Sequence, residues 1–302
     1  MQARDFPYGY RAFSLNILSQ FPVTGFEPAK VSRADVLIRE DEVPETLPGA
    51  VNKGVLFQST DSEFLLTVDG VARYHAHDGR EITVKRLGHA LQGEVSAFLI
   101  GTTFGALLHQ RRLLPLHAST VIYNNQCLLF AGMSGSGKST LAASLINDGG
   151  ELVADDISVV GFRGEKAFVR PAFPAIKIWE DSLNHLGLSA GDLEHVRGKL
   201  RKFYLPVERF SREQAVVDHV FILYTHNKPE IEVKTLQGVD KFRVLKKHTY
   251  LFRGIPKTGL EQNHFMMASR LAAQVPVTML TRSNGKFDTV KLVRKVNELL
   301  AG

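Results

Sequence analysis

Between the apolar run Gln126-Cys-Leu-Leu-Phe-Ala131 and the pattern Thr140-Leu-Ala-Ala-Ser-Leu145 the chain reads Gly132-Met-Ser-Gly-Ser-Gly137-Lys138-Ser139. Three glycines in eight positions belong to neither a strand nor a helix interior, because each costs conformational entropy there. The apolar run before them has the length of a buried strand, and the pattern after them that of a helix. The helix stops at Asp148-Gly149-Gly150, and Glu151-Leu-Val-Ala-Asp155-Asp156 follows as a strand ending in two carboxylates. Strand, glycine turn, helix and strand in that order commit this part of the chain to an α/β fold. A right-handed crossover sets both strands in one sheet, with their carboxyl ends at the same edge.

The flanking segments are of two kinds. Up to about residue 90 the text alternates as short strands, and the pairs Asp69-Gly70 and Asp78-Gly79 mark hairpin turns of a three-stranded meander around Glu63 to Val84. His75 and His77 fall on one face of a strand there, but no third ligand at a recognisable spacing accompanies them, so an ordinary strand surface is expected. Gly93 to Arg112 has helical spacing. The expected division is therefore an N-terminal β-rich (α+β) domain over 1–92 and an α/β domain over 93–302, with 93–112 as a connecting helix. Within the second, Leu116 to Tyr123 and Gln126 to Gly132 read as strands joined by an Asn124-Asn125 turn. Further strands are expected near Val159 and Phe168, at Val216 to His226 and at Pro276 to Arg282. Helices are expected near Leu260 to Gln274 and from Asp288 onward, with a mixed region up to Pro206.

The eight-residue motif satisfies G-x-x-x-x-G-K-[ST], the phosphate-binding loop. Its glycines let backbone N–H groups turn inward toward phosphate oxygens, and the helix that follows adds unpaired donors and partial positive charge. Gly132, Met133, Ser134, Gly135, Ser136, Gly137, Lys138, Ser139 and Thr140 are thus the expected nucleotide-binding residues. Lys138 is placed for the β and γ phosphates and the Ser139 hydroxyl for Mg²⁺. Asp155 lies sixteen residues beyond Ser139, room for one helix, a turn and a strand. Of the pair Asp155-Asp156, one carboxylate can help hold the metal while the other accepts a proton from an attacking hydroxyl; a capping role at the strand end is the structural alternative. His117, in Pro115-Leu-His-Ala-Ser-Thr120, reaches the phosphate edge if its strand neighbours the loop strand, and is otherwise a packed histidine.

A net charge of +6 and a pI near 9.3 suit an anionic partner without choosing one. The basic stretch from Arg197 to Lys202 lacks any recognised nucleic-acid signature, so no nucleic-acid partner is expected. Basic residues such as Arg170, Lys177, Arg201 and Lys202 are read as solvated, or as guides for an acidic or carboxylate-bearing substrate. The single cysteine, Cys127, excludes an internal disulfide and reads as a small core hydrophobe. No apolar run reaches the ~20 residues of a membrane span, and the N-terminus does not read as a secretory signal, which leaves the cytoplasm as the expected location.

The segment from about Leu113 to Val160, with His117, the glycine-rich loop and Val153-Ala-Asp-Asp156, resembles the catalytic core of the HPr kinase/phosphorylase superfamily. That resemblance implies a P-loop fold related to ATP-dependent phosphoenolpyruvate carboxykinase, with ATP and Mg²⁺ as cofactors. It gives catalytic roles to His117, Lys138, Asp155 and Asp156, and sets Ser139 and Asp156 toward the metal. The β-rich front part and the segments Phe173-Pro-Ala-Ile-Lys-Ile-Trp179 and Phe265-Met-Met-Ala-Ser-Arg270 are more similar to the HPr kinase-related serine kinases, among them kinases of lasso-peptide precursors. Thr140 stands where HPr kinases usually have Glu, and the segment tied to their phosphorylase activity is replaced by Arg170-Pro-Ala-Phe-Pro-Ala175. The implied function is serine phosphorylation of a peptide or small protein, with self-association into a homo-oligomer left open. A small-molecule kinase and a nucleotide-binding switch with slow ATPase activity are the alternatives. A GTPase is disfavoured because Asn227-Lys228 lacks the required Asp two positions later, and an ABC-type ATPase because its signature is missing.

Overall fold

The computed structural model describes residues 5–198, 200–284 and 288–301, which group into two compact units. The first comprises 1–115, 195–200 and 249–267; the second comprises 116–194, 201–248 and 268–302. The expected boundary at 92/93 thus differs from the observed grouping: the helical segment after it, and two later segments, cluster with the first unit.

The first unit carries strands β1 (Tyr8–Ala12), β2 (Leu15–Ser19), β3 (Glu27–Pro28), β4 (Val36–Glu40), β5 (Asn52–Lys53), β6 (Phe57–Ser59), β7 (Glu63–Val68), β8 (Ala72–His77) and β9 (Glu81–Arg86). They form one sheet in the order β3-β1-β2-β4-β9-β8-β7-β6-β5. The β7–β8–β9 meander is antiparallel as its turns dictate; Asp78 (φ 54°) and Gly79 (φ 62°) both adopt the left-handed conformation that such a turn demands. Alternating Ala72, Tyr74 and Ala76 are wholly buried on one face. On the other, His75 Nε2 lies 2.7 Å from Glu63 Oε2, and no cluster able to hold a metal is found among the described residues.

The segment expected as one helix is α1 (Gln92–Phe98), a π-helical stretch (Leu99–Thr103) and α2 (Phe104–Gln110). Side chains at Gly101 and Gly105 would collide with the Tyr250 ring, at 3.1 Å from its hydroxyl and 2.8 Å from Cδ1 respectively, so the two glycines admit that ring. The extra residue per turn of a π-bulge is local to this passage.

The second unit holds β11 (Ala118–Tyr123), β12 (Gln126–Gly132), α3 (Lys138–Asn147), β13 (Glu151–Ala154), β14 (Ser158–Arg163), β15 (Lys166–Arg170), β16 (Ala175–Trp179) and α4 (Glu180–His185). These are followed by β17 (Lys202–Pro206), β18 (Ala215–His226), β19 (Glu232–Thr235), α5 (Gly238–Lys247), β20 (Val277–Ser283) and α7 (Thr289–Ala301). Preceding and spanning them are β10 (Leu114–Leu116) and α6 (Glu261–Gln274). The main sheet runs β10-β14-β15-β18-β12-β11-β13, with β20 also on β18 and β19 on β20. Strands β12, β18 and β20 are parallel, and β11 runs antiparallel to both β12 and β13. The strand after α3 therefore lies in the sheet of the loop strand and parallel to it, as the crossover requires, but with β11 between them.

That order places the site. Ala118 pairs with Ala131 and Thr120 with Ala154, so the start of β11 and the ends of β12 and β13 share one edge. His117, Gly132 and Asp155 each stand one residue beyond that register. Beneath this edge the core is apolar: Leu128, Phe130, Leu141, Leu145, Leu152 and Phe221 are fully buried. Cys127 is a buried free thiol, and burial pushes its pKa up to about 12. No helix of the described residues is long and apolar enough to cross a membrane.

Candidate functional site

The loop between β12 and α3 owes its path to its glycines. A Cβ on Gly132 would stand 2.5 Å from Ser136 Oγ and 2.8 Å from the Leu223 carbonyl oxygen, so the chain passes there only as glycine. Gly135 (φ 82°) and Gly137 (φ 100°) are left-handed, a conformation that side chains disfavour. Gly137 precedes α3 without a side-chain cap, which leaves the first-turn N–H groups to an outside acceptor. Ser136 Oγ is buried with no partner. Of the loop residues expected to bind nucleotide, Ser134, Gly135, Gly137, Lys138, Ser139 and Thr140 line one cavity, whereas Gly132, Met133 and Ser136 do not. The Thr140 hydroxyl donates to Ser182 Oγ at 3.0 Å, tying α3 to α4.

The two carboxylates have distinct surroundings. Asp155 is buried and saturated: its Oδ1 accepts from Ser119 Oγ (2.6 Å) and Ser139 Oγ (2.9 Å), and its Oδ2 from the Lys177 N–H (2.8 Å). Asp156, left-handed at φ 68°, faces the cavity and accepts from Lys177 Nζ at 3.0 Å. Burial alone would raise its pKa, but the charges of Lys177, Lys202 and His117 outweigh that and hold it well below the usual carboxylate range. The Ser139 hydroxyl is thus joined to Asp155; the resemblance had set Asp156 toward the metal.

His117 bridges Asp156 and Lys138. Its Nδ1 lies 3.0 Å from the Asp156 carbonyl oxygen, and its Nε2 lies 3.1 Å from Lys138 Nζ. Burial and the Lys138 charge lower its pKa, so the ring is neutral near pH 7. Nε2 then accepts from the ammonium while Nδ1–H donates to the carbonyl. Lys138 also donates to the carbonyls of Gly132 (3.0 Å) and Met133 (3.1 Å), and burial pulls its pKa down to about 8.

The far wall was not legible as a site in the sequence. Strands β16 and β17 form a two-stranded hairpin in which Lys177 faces Tyr204 and Trp179 faces Lys202. Ile176, Ile178, Phe203 and Leu205 pack with the core. The alternate positions carry Lys177, Trp179 and Lys202, all lining the cavity. Lys177 is 5% exposed, which corrects its reading as a solvated surface cation. Arg201 is the solvated one, with three quarters of its side chain exposed and paired with Glu180. The alternation Ala175-Ile-Lys-Ile-Trp179 was the available signal, but its partner strand begins more than twenty residues later.

No family model matches the chain, and no curated protein matches it. Among solved structures it is similar to the HPr(Ser) kinase/phosphatase from Coxiella burnetii, at 14% sequence identity and a TM-score of 0.34, over 62% of this chain and 99% of that one. This is a distant structural relationship, and it assigns no residue a role.

Proposed function

We propose that the second unit is an ATP- and Mg²⁺-dependent kinase that transfers the γ-phosphate to a seryl hydroxyl of a peptide or small protein. The observation that carries this reading is a loop that leaves helix N–H groups uncapped beside two carboxylates of opposite character. One is joined to the motif serine and the other opens to the cavity. An uncapped helix start lining the cavity fits a bound phosphate chain. Ser139, which lines the cavity, would help hold Mg²⁺, with Asp155 orienting its hydroxyl from behind; so few protein oxygens suit Mg²⁺, whose other ligands would be water and phosphate oxygens. When bound, Mg²⁺ supplies charge neutralisation across the β and γ phosphates.

In this scheme the seryl oxygen bonds to the γ-phosphorus as the bond to the β,γ-bridging oxygen breaks, and ADP leaves. Asp156 takes the seryl proton; Lys177 keeps it ionised and fixed for that purpose. His117, held neutral, orients the Lys138 ammonium that meets the departing charge. Positioning and electrostatics account for the rate. Following the resemblance, a serine-bearing lasso-peptide precursor is the first acceptor to try.

The test is transfer of labelled γ-phosphate to serine peptides and small proteins, with Lys138→Ala and Asp155→Asn as controls. Labelling that both variants abolish supports the reading. Protein that binds MgATP yet labels no peptide, protein or small molecule is instead a nucleotide-binding switch.

A further inference from the structure

The cavity is lined by three lysines, and two of them are occupied. Lys138 donates to two loop carbonyls and to His117, and Lys177 to Asp156. Lys202 differs: among the described residues its ammonium has no carboxylate or hydrogen-bond partner, and it rests 5.7 Å from the centroid of the Trp179 ring, its cross-strand neighbour. Its charge is felt by Lys138, His117 and Asp156 alike, which puts it within electrostatic reach of the whole reacting centre. A cation held close to other cations, against an aromatic face, gains most from an anion entering between them.

We propose that Lys202 is a second phosphate-binding cation, which leaves Trp179 to bind the γ-phosphate of ATP from the wall opposite the glycine-rich loop. This rests on the phosphotransferase reading and adds to it the residue that distinguishes a nucleoside triphosphate from a diphosphate. The loop and Lys138 engage the phosphate chain from one side and would hold ADP nearly as well. Lys202, carried by the hairpin, meets only the terminal group, and it stabilises the charge that spreads over the transferring phosphoryl oxygens.

Trp179 is the single tryptophan of the chain, so it reports on its own neighbour. The experiment measures MgATP and MgADP binding to the full-length protein by calorimetry, and tryptophan emission in the same titrations, for wild type, Lys202→Met and Lys202→Arg. Wild type is expected to bind MgATP about tenfold or more tighter than MgADP, with emission changing for MgATP only. Lys202→Met is expected to lose that preference, keep its MgADP affinity within about twofold and lose the emission response, while phosphoryl transfer falls about 100-fold. Lys202→Arg should restore part of the preference. The inference is overturned if Lys202→Met keeps the ATP preference, if it weakens both nucleotides equally, or if only the acceptor KM rises, which would make Lys202 an acceptor contact. Failure of the wild type to bind either nucleotide would instead refute the phosphotransferase reading on which it rests.

Discussion

Two hairpins of the second unit feed the same cavity and are built by different means. Strands β11 and β12 are joined by Asn124 (φ 50°) and Asn125 (φ 59°), a two-residue turn in the left-handed conformation that asparagine tolerates. Their register is set locally, and it delivers His117 and the glycine-rich loop to one edge. Strands β16 and β17 are joined by α4 and a long excursion, so their register is set by the core. Ile176, Ile178 and Phe203 must face inward, and Lys177, Trp179 and Lys202 consequently face the cavity. A turn written in the sequence fixes the first hairpin; only tertiary burial fixes the second. Chemistry on the first is accordingly readable in advance, and chemistry on the second is not.

Substitutions can break this contrast. The largest effect is expected at the first hairpin's loop, where Lys138→Ala should reduce phosphoryl transfer about 1,000-fold or more in a single-turnover assay, with an unchanged unfolding midpoint. The second hairpin should show the opposite balance. Lys177→Met leaves the half-buried Asp156 without its hydrogen-bonded cation and should cost about 2 kcal/mol in urea unfolding, with Lys177→Arg recovering most of it. If Lys177→Met is instead as stable as wild type, the ion pair does not hold the hairpin in place.

A pH experiment sharpens the same comparison. The N–H of His117, where the first hairpin begins, donates to the carbonyl of His248 at 2.8 Å. Burial, with the charges of Lys247, Lys138 and His117, lowers the His248 pKa to about 4 from an ordinary 6.5. A group whose folded-state pKa is depressed keeps its full contribution above pH 6.5 and loses it as the pH falls toward 4. Acidification across that window should remove about 3 kcal/mol of stability through His248, and His248→Gln should make the curve measured by denaturant titration shallower, the remaining slope coming from His109 and His219, which burial also pushes down to about 4. The smallest effect is expected at Thr140→Val, which removes the hydroxyl bond to Ser182 between α3 and α4. It should cost about 1 kcal/mol and leave the loop geometry intact.

The features legible in the sequence share one property, that their signal is local. The Asp-Gly and Asn-Asn turns, the glycine loop, the stop at Gly149 (φ 100°) and the strand ending in Asp155-Asp156 each state their geometry within a few residues. The sequence did not show that β11 lies between β12 and β13, although this is what brings His117 beside Asp156. Strand order depends on pairing between distant segments. The division of labour between the carboxylates was hidden for a related reason: Asp155 is fixed by Ser119, Ser139 and Lys177, which come from three separate elements. Two units were expected, but the extent of the first was not, because 195–200 and 249–267 return to it after long intervals.

The pairing of β12 with β18 has a consequence for the chain as it leaves the ribosome. Gly132 and Cys127 find their partners Leu223 and Val217 about 90 residues later. Until then one side of an apolar strand, Leu128 to Ala131, is an open row of donors and acceptors. At ordinary elongation rates of about 5–20 residues per second, that edge stays uncovered for several seconds. The glycine-rich loop is therefore complete in sequence well before the strand that carries it is enclosed, and misfolding of the nascent protein should begin at this edge.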